Sequence, residues 1–157
     1  MGRIANRIEA LGLVLPAEVP VSQPFPWVNL RGTRVLVSGH GPQEPDGSLA
    51  GPFGRVGADL TADQGKALAR KAALSMLASL TRALGDLDRI TAWHRVFGMV
   101  NTGPGFEHSP HVINGFSELV LELFGDEVGR HARSAVGMAA LPFNFAVEIE
   151  AELEIAA

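Results

Sequence analysis

No cysteine occurs anywhere in the chain, which excludes disulfides, thiolate nucleophiles and cysteine-ligated zinc. A reducing compartment fits that absence. Positive charge is not in excess either: 13 Lys and Arg stand against 17 Asp and Glu, for a formal net charge of −4. A long basic footprint for nucleic acid is therefore not expected. No apolar run approaches the roughly 18 residues that a membrane span needs. The 46% hydrophobic content is expected instead to cover a subunit interface as well as a core. The opening MGRIANRIEALG lacks the apolar stretch of a signal peptide, and Asn6 stands where myristoylation requires serine or threonine. Cytoplasm is the expected location. Long repeats, low-complexity tracts and linkers are also missing, so 157 residues are read as one domain spanning 1–157, with 1–21 as a helical extension.

The last quarter of the chain, from His131 to Glu154, carries the clearest pattern. Val147, Ile149, Ala151 and Leu153 alternate with Glu148, Glu150, Glu152 and Glu154, the period of a half-buried strand. An earlier run holds one arginine, Arg133, among small and apolar residues. The link Leu141-Pro142-Phe143-Asn144 predicts a hairpin between the two runs, because proline cannot donate to a ladder and asparagine tolerates turn geometry.

Upstream, Ile4, Ile8 and Leu11 recur at helical spacing, with Gly12 placed to cap. Two strands are predicted at Phe25–Leu30 and Arg34–Ser38 around Arg31-Gly32-Thr33. A loop dense in glycine and proline then runs to Asp59, with Asp46-Gly47 as a turn, and a loop this long is either functional or partly structured. Thr61-Ala62-Asp63-Gln64 is a capping box for a helix to Leu84. Its buried stripe includes Ala69, Ala73, Met76 and Leu80, and Gly85 ends it. A strand near Ile90–Val100 follows. Ser109 and Pro110 then form an N-cap and first-turn pair opening a helix to Phe124. Helices interspersed with strand pairs predict an α+β layer, one mixed sheet with two main helices on one face and a short N-terminal helix beside them. The free sheet face is expected to meet other subunits.

Ala132-Arg133-Ser134, Leu141-Pro142 and Val147-Glu148-Ile149-Glu150, with 15 positions between arginine and first glutamate (148 − 133 = 15), resemble the C-terminal signature of the Rid (YjgF) family of reactive-intermediate deaminases. Pro24, Ser38-Gly39, Val96-Phe97 and Ile113-Asn114 match in order, so the resemblance spans about residues 22–155. It implies a chorismate-mutase-like fold, a homotrimer with clefts between subunits, and hydrolysis of imines and enamines of small carboxylic acids without a cofactor. It further implies that Arg133 binds the substrate carboxylate, that Glu148 acts through water, and that Ser38 and Asn114 line the cleft. Two departures stand out. Phe25 occupies the place of a frequent tyrosine, and Ala135 that of a frequent cysteine; both make the cleft more apolar. The N-terminal helix and long loops mark a divergent, longer branch.

The residues also carry plainer readings. Arginine suits an α-imino acid because its planar fork binds carboxylate bidentately, but it also suits an interface pair with a glutamate. Alternating carboxylates usually form a solvated strand face, with Glu148 favoured by position and Glu150 as fallback. Ser38 can satisfy a backbone carbonyl and Asn114 a helix terminus. His108 and His111 straddle a helix start beside Glu107 without a third ligand at motif spacing, so no metal is expected there. His40, after Ser38, is a weaker pocket candidate. A non-catalytic metabolite-binding trimer and an endoribonuclease are the rival functions; the acidic balance counts against the second. Chorismate mutase follows from the fold alone and has no site residues behind it.

Overall fold

The computed structural model describes residues 2–157. Helix α1 (Arg3–Ala10) is followed by strands β1 (Val28–Arg31) and β2 (Arg34–His40), then by the long helix α2 (Ala62–Leu84). Strand β3 (Ile90–Asn101), helix α3 (Ser109–Gly129), strand β4 (Ala132–Met138) and strand β5 (Val147–Ile155) complete the chain. The five strands form one mixed sheet in the order β1-β2-β5-β3-β4, antiparallel except for the parallel pair β3–β4.

That order corrects one expectation. The two C-terminal runs are strands, but they are not a hairpin: β3 lies between them. After β3 the chain crosses over through α3, which returns β4 parallel to β3 on its outer side. β5 then enters between β3 and β2, where both of its edges are paired. The segment Pro142–Asn144 is a short 3-10 turn linking the two separated strands.

Sequence chemistry accounts for the helices. The Gln64 N–H donates to Thr61 Oγ1 (3.1 Å) and the Thr61 N–H to Gln64 Oε1 (2.8 Å), the reciprocal bonds of a capping box at the start of α2. Gly85, at φ 77°, ends it. Ala69, Ala73, Met76 and Leu80 are buried as expected. The small residues let α2 and α3 approach closely, and a side chain at Gly115 of α3 would collide with the Lys66 carbonyl of α2. At the start of α3, His108 rather than Ser109 takes the cap position and no side chain caps it. The buried Ser109 is already helical. Gly125 is non-helical (φ 75°, ψ 174°) and breaks α3 after Phe124, where the sequence places its stop; a further short helical turn then runs on to Gly129. Ile4 and Ile8 of α1 enter the core but Leu11 is exposed. The carboxylate of Asp88 receives the Arg3 and Ile4 backbone N–H groups at 2.5 and 2.8 Å, capping α1 from a distant turn.

Both main helices lie on one face of the sheet, over Val35, Val96, Ile149 and Leu153, all fully buried. Trp93 packs edge-on against Phe116 and Phe124 of α3. The opposite face is bare in the single chain, with Leu36, Arg95, Phe97, Glu150 and Glu152 around a shallow hollow. Along β5 the predicted alternation holds. Glu152 pairs with Arg34 (2.5 Å), Glu154 lies 3.3 Å from His94, and Glu150 is exposed. The glycine- and proline-rich loop is partly structured, held by isolated bridges Gln43–Leu49 and Val56–Leu60 and by the Asp46-Gly47 turn.

Candidate functional site

The sequence candidates fall into two groups on different parts of the molecule. The first surrounds Arg133 on the edge strand β4. Its guanidinium donates from one Nη to Asn114 Oδ1 (2.8 Å) and Ser117 Oγ (3.1 Å), and from the other to the Pro110 carbonyl (3.3 Å). All three acceptors belong to the first turns of α3. Among the described residues, no carboxylate lies within salt-bridge distance of Arg133. The pairing of this arginine with a glutamate of its own chain is therefore absent. Burial lowers the Arg133 pKa from its ordinary value, which leaves a guanidinium charged at neutral pH.

Ser117 was not singled out from sequence. Its hydroxyl lies 2.9 Å from His131 Nε2, while His131 Nδ1 lies 2.7 Å from the Gly129 carbonyl. A carbonyl only accepts, so Nδ1 carries the proton and Nε2 accepts from the Ser117 hydroxyl. Ser117 thus has its lone pair aimed at Arg133. Burial and the neighbouring Arg133 charge both hold His131 below its ordinary pKa, which keeps that tautomer neutral. The spacing of Asn114 and Ser117, i and i+3, puts both on one helix face and was the signal available in the sequence. Ala135, two residues beyond Arg133, packs partly buried against the core beside Gly98.

The second group lies in a groove of about 830 Å³ that contains Phe25, His40 and Glu148. Glu148 sits on β5 between two buried neighbours, Val147 and Ile149, and so points off the opposite side of the strand. Its carboxylate lies against Gly39, where a Cβ would overlap it. Glycine at this position leaves the room the acid occupies. Burial, and then the Glu150 charge, push the Glu148 pKa up.

His40 is buried on the groove floor. Its Nδ1 donates to the Ser38 carbonyl (2.6 Å) and its Nε2 accepts from the Ser79 hydroxyl (2.9 Å). Arg82 in turn donates to Ser79 Oγ at 3.1 Å. Desolvation lowers the His40 pKa to about 4, so the ring is neutral. This network pins the irregularity between Val37 and His40 in β2 that turns Gly39 toward Glu148. Ser38 directs its hydroxyl to the Pro26 carbonyl (2.9 Å) and its N–H to Trp27. Its side chain therefore serves the backbone beside the groove.

Arg133 and Glu148 of one chain do not converge. They sit on strands separated by β3, about 9–10 Å across two strand spacings, in register with Val96 and Met99 respectively. Arg133 reaches helix α3 on the covered face, while Glu148 leaves β5 on the other side.

His111 bonds Asp63 at 2.8 Å and His108 lies edge-on to Phe106. No cluster of three or more His, Asp or Glu side chains able to hold a metal occurs among the described residues.

The family model described as "YjgF/chorismate mutase-like, putative endoribonuclease" matches residues 5–153. The chain belongs to the Rid (YjgF) family. It is 41% identical over 154 residues to Protein TCP17 of Trypanosoma cruzi, covering 98% of this chain and 95% of that protein. The crystal structure of protein Atu1372 from Agrobacterium tumefaciens superposes with a TM-score of 0.88 at 39% identity, covering 98% of this chain and 94% of the other. RidA of an Antarctic Psychrobacter shares the fold more loosely: TM-score 0.58, 24% identity, 89% of this chain and 93% of the other. Within the Rid family this chain therefore stands nearer the Agrobacterium protein, whose match includes α1, than to RidA. Among the described residues no helix is long and apolar enough to cross a membrane.

Proposed function

We propose that the protein hydrolyses reactive imine and enamine intermediates of carboxylic acids to 2-keto acids and ammonia, in clefts between the subunits of a homotrimer. The observation that carries this reading is the state of Arg133. Three neutral oxygens orient it and, among the described residues, no carboxylate pairs with it, so its charge is available to a ligand carboxylate. The bare sheet face and the two separated half-sites support assembly, because a second copy can bring its Arg133 toward the Glu148 groove of the first.

The chemistry needs little more. Protonation of an enamine at carbon gives an iminium. Water held by Glu148 adds to the iminium carbon and passes a proton to the carboxylate. Glu148 returns that proton to the amine nitrogen, the C–N bond breaks, and ammonia leaves while the hydroxyl proton goes to solvent. An apolar wall that raises the Glu148 pKa brings the acid closer to the working pH for both transfers. No cofactor enters the scheme.

The test couples the purified protein to a pyridoxal-phosphate-dependent dehydratase and follows keto-acid release. Wild type accelerates release and Arg133→Ala does not. Equal rates with both proteins reject the reading. A second reading, a metabolite-binding trimer without turnover, is favoured by Phe25 and Ala135, which give the cleft neither phenol nor thiol. Ligand binding without keto-acid release, lost in Arg133→Ala, selects it. The ribonuclease in the family description is weighed against a net charge of −4, and lack of RNA retention at low salt removes it.

A further inference from the structure

The groove around Glu148 is larger and greasier than a small imine requires. Its volume of about 830 Å³ falls in the range of roughly 300–1,000 Å³ typical of sites for drug-sized ligands. Its walls collect much of the apolar surface that the single chain leaves open. Val19, Val21, Phe25, Trp27, Leu49 and Phe143 are all exposed large hydrophobics, and all line it. Scattered apolar residues on a surface need no explanation, but a concentration of them in one concavity marks a binding surface.

The lip of the groove adds an independent observation. Phe143 is held at φ 56°, ψ 18°, a left-handed conformation that a bulky residue seldom adopts, and the residue is 72% exposed. Surrounding bonds impose that geometry. The Asn144 carbonyl accepts from Gly54 (2.9 Å), the Asn144 N–H donates to Leu141 (3.2 Å), and Asn101 Nδ2 donates to Asn144 Oδ1 at 3.3 Å. Backbone strain of this kind persists where surrounding structure over-determines it and clusters at ligand clamps. Here it presents an aromatic ring at the groove mouth, edge-on to Phe145. The segment carrying Val19 and Val21, which also lines the groove, is tied down by the Ala17 N–H to Pro45 (2.9 Å) and by Arg82 to the Pro16 carbonyl (3.5 Å).

Resting on the deaminase reading, we infer that the substrates are imino acids with a bulky apolar side chain, aromatic or branched aliphatic, seated between Phe143 and the Val19–Val21 wall. The carboxylate is held by Arg133 at one end of the cleft. Glu148 serves the imine carbon, and the side chain fills the groove beyond it.

The experiment generates imines in situ from L-phenylalanine and from L-alanine with an L-amino-acid oxidase. It measures how far the protein suppresses semicarbazone trapping of each. The phenylalanine-derived imine is expected to be hydrolysed at least about tenfold more efficiently, since even one methylene in an apolar pocket is worth about that much. Phe143→Ala and Val21→Ser, both at exposed positions that do not threaten folding, are expected to cut the phenylalanine-to-alanine ratio severalfold. Equal acceleration of both imines, or a ratio unmoved by both variants, overturns the inference while leaving the deaminase reading intact. If wild type accelerates neither imine, the deaminase reading fails. Binding of phenylpyruvate against pyruvate then decides the groove separately: no preference for phenylpyruvate rejects an apolar side-chain subsite.

Discussion

The Arg133 corner and the Glu148 groove solve opposite problems. Around Arg133, polar neighbours without net charge fix a cation and leave it uncompensated. Around Glu148, apolar neighbours and one like charge make ionisation less favourable. Under the proposed reading, the uncompensated cation and the acid with the raised pKa are brought together from neighbouring chains. The contrast shows that each half is tuned through its surroundings as well as through the identity of its charged residue.

Separating the halves gives the largest expected effect. Arg133→Ala and Glu148→Gln are each expected to lose roughly 100-fold or more in kcat/KM, by removing a charge-assisted contact or a proton-transfer group. Mixing the two variants, after dissociation and reassembly, is expected to restore activity, because a cleft built from Arg133 of one chain and Glu148 of another is then intact. Assay of the reassembled mixture checks this, and no recovery means that both groups serve from the same chain. Next in size is pH. Water activation by Glu148 needs the ionised carboxylate, so activity is expected to fall on acidification at a pH above the ordinary glutamate range, in the direction its raised pKa sets. In Glu148→Gln the residual activity loses that limb, as a pH–rate profile reports.

His40 gives a smaller, purely structural effect. Its folded pKa of about 4 lies below the 6.5 of the free side chain, so between those values the unfolded chain binds more protons. Stability is full above pH 6.5 and declines as pH falls toward 4, by on the order of 3 kcal/mol over the whole window. Denaturant midpoints for wild type should show that slope, and His40→Gln should flatten it. The smallest effect concerns the strained lip. Phe143→Gly relieves the left-handed strain but adds unfolded-state entropy, for an expected net gain of about 0.5–1 kcal/mol and a melting temperature a few degrees higher.

Much of this arrangement is legible in the sequence because it is local. The capping box at Thr61, the alternation of β5 and the buried stripe of α2 each declare themselves within a few residues. The strand order does not, because where β5 inserts depends on the crossover through α3, and a proline-containing link reads equally well as a hairpin turn. The candidate residues show the same division. Arg133 and Glu148 stand out only through the resemblance of their segment to the Rid signature, whereas Ser79, Ser117 and His131 are single small or neutral polar groups whose roles exist only once distant elements pack. The Phe143 conformation is invisible in composition, since a turn with proline and asparagine nearby gives no hint that phenylalanine takes the strained position.

Two groups aimed off opposite sides of one sheet also make dilution a variable. Under the proposed reading, a lone chain holds an anchor without an acid and an acid without an anchor. Specific activity should then climb with protein concentration until assembly is complete and fall off steeply below it. The amount of protein present would set how much of it is catalyst.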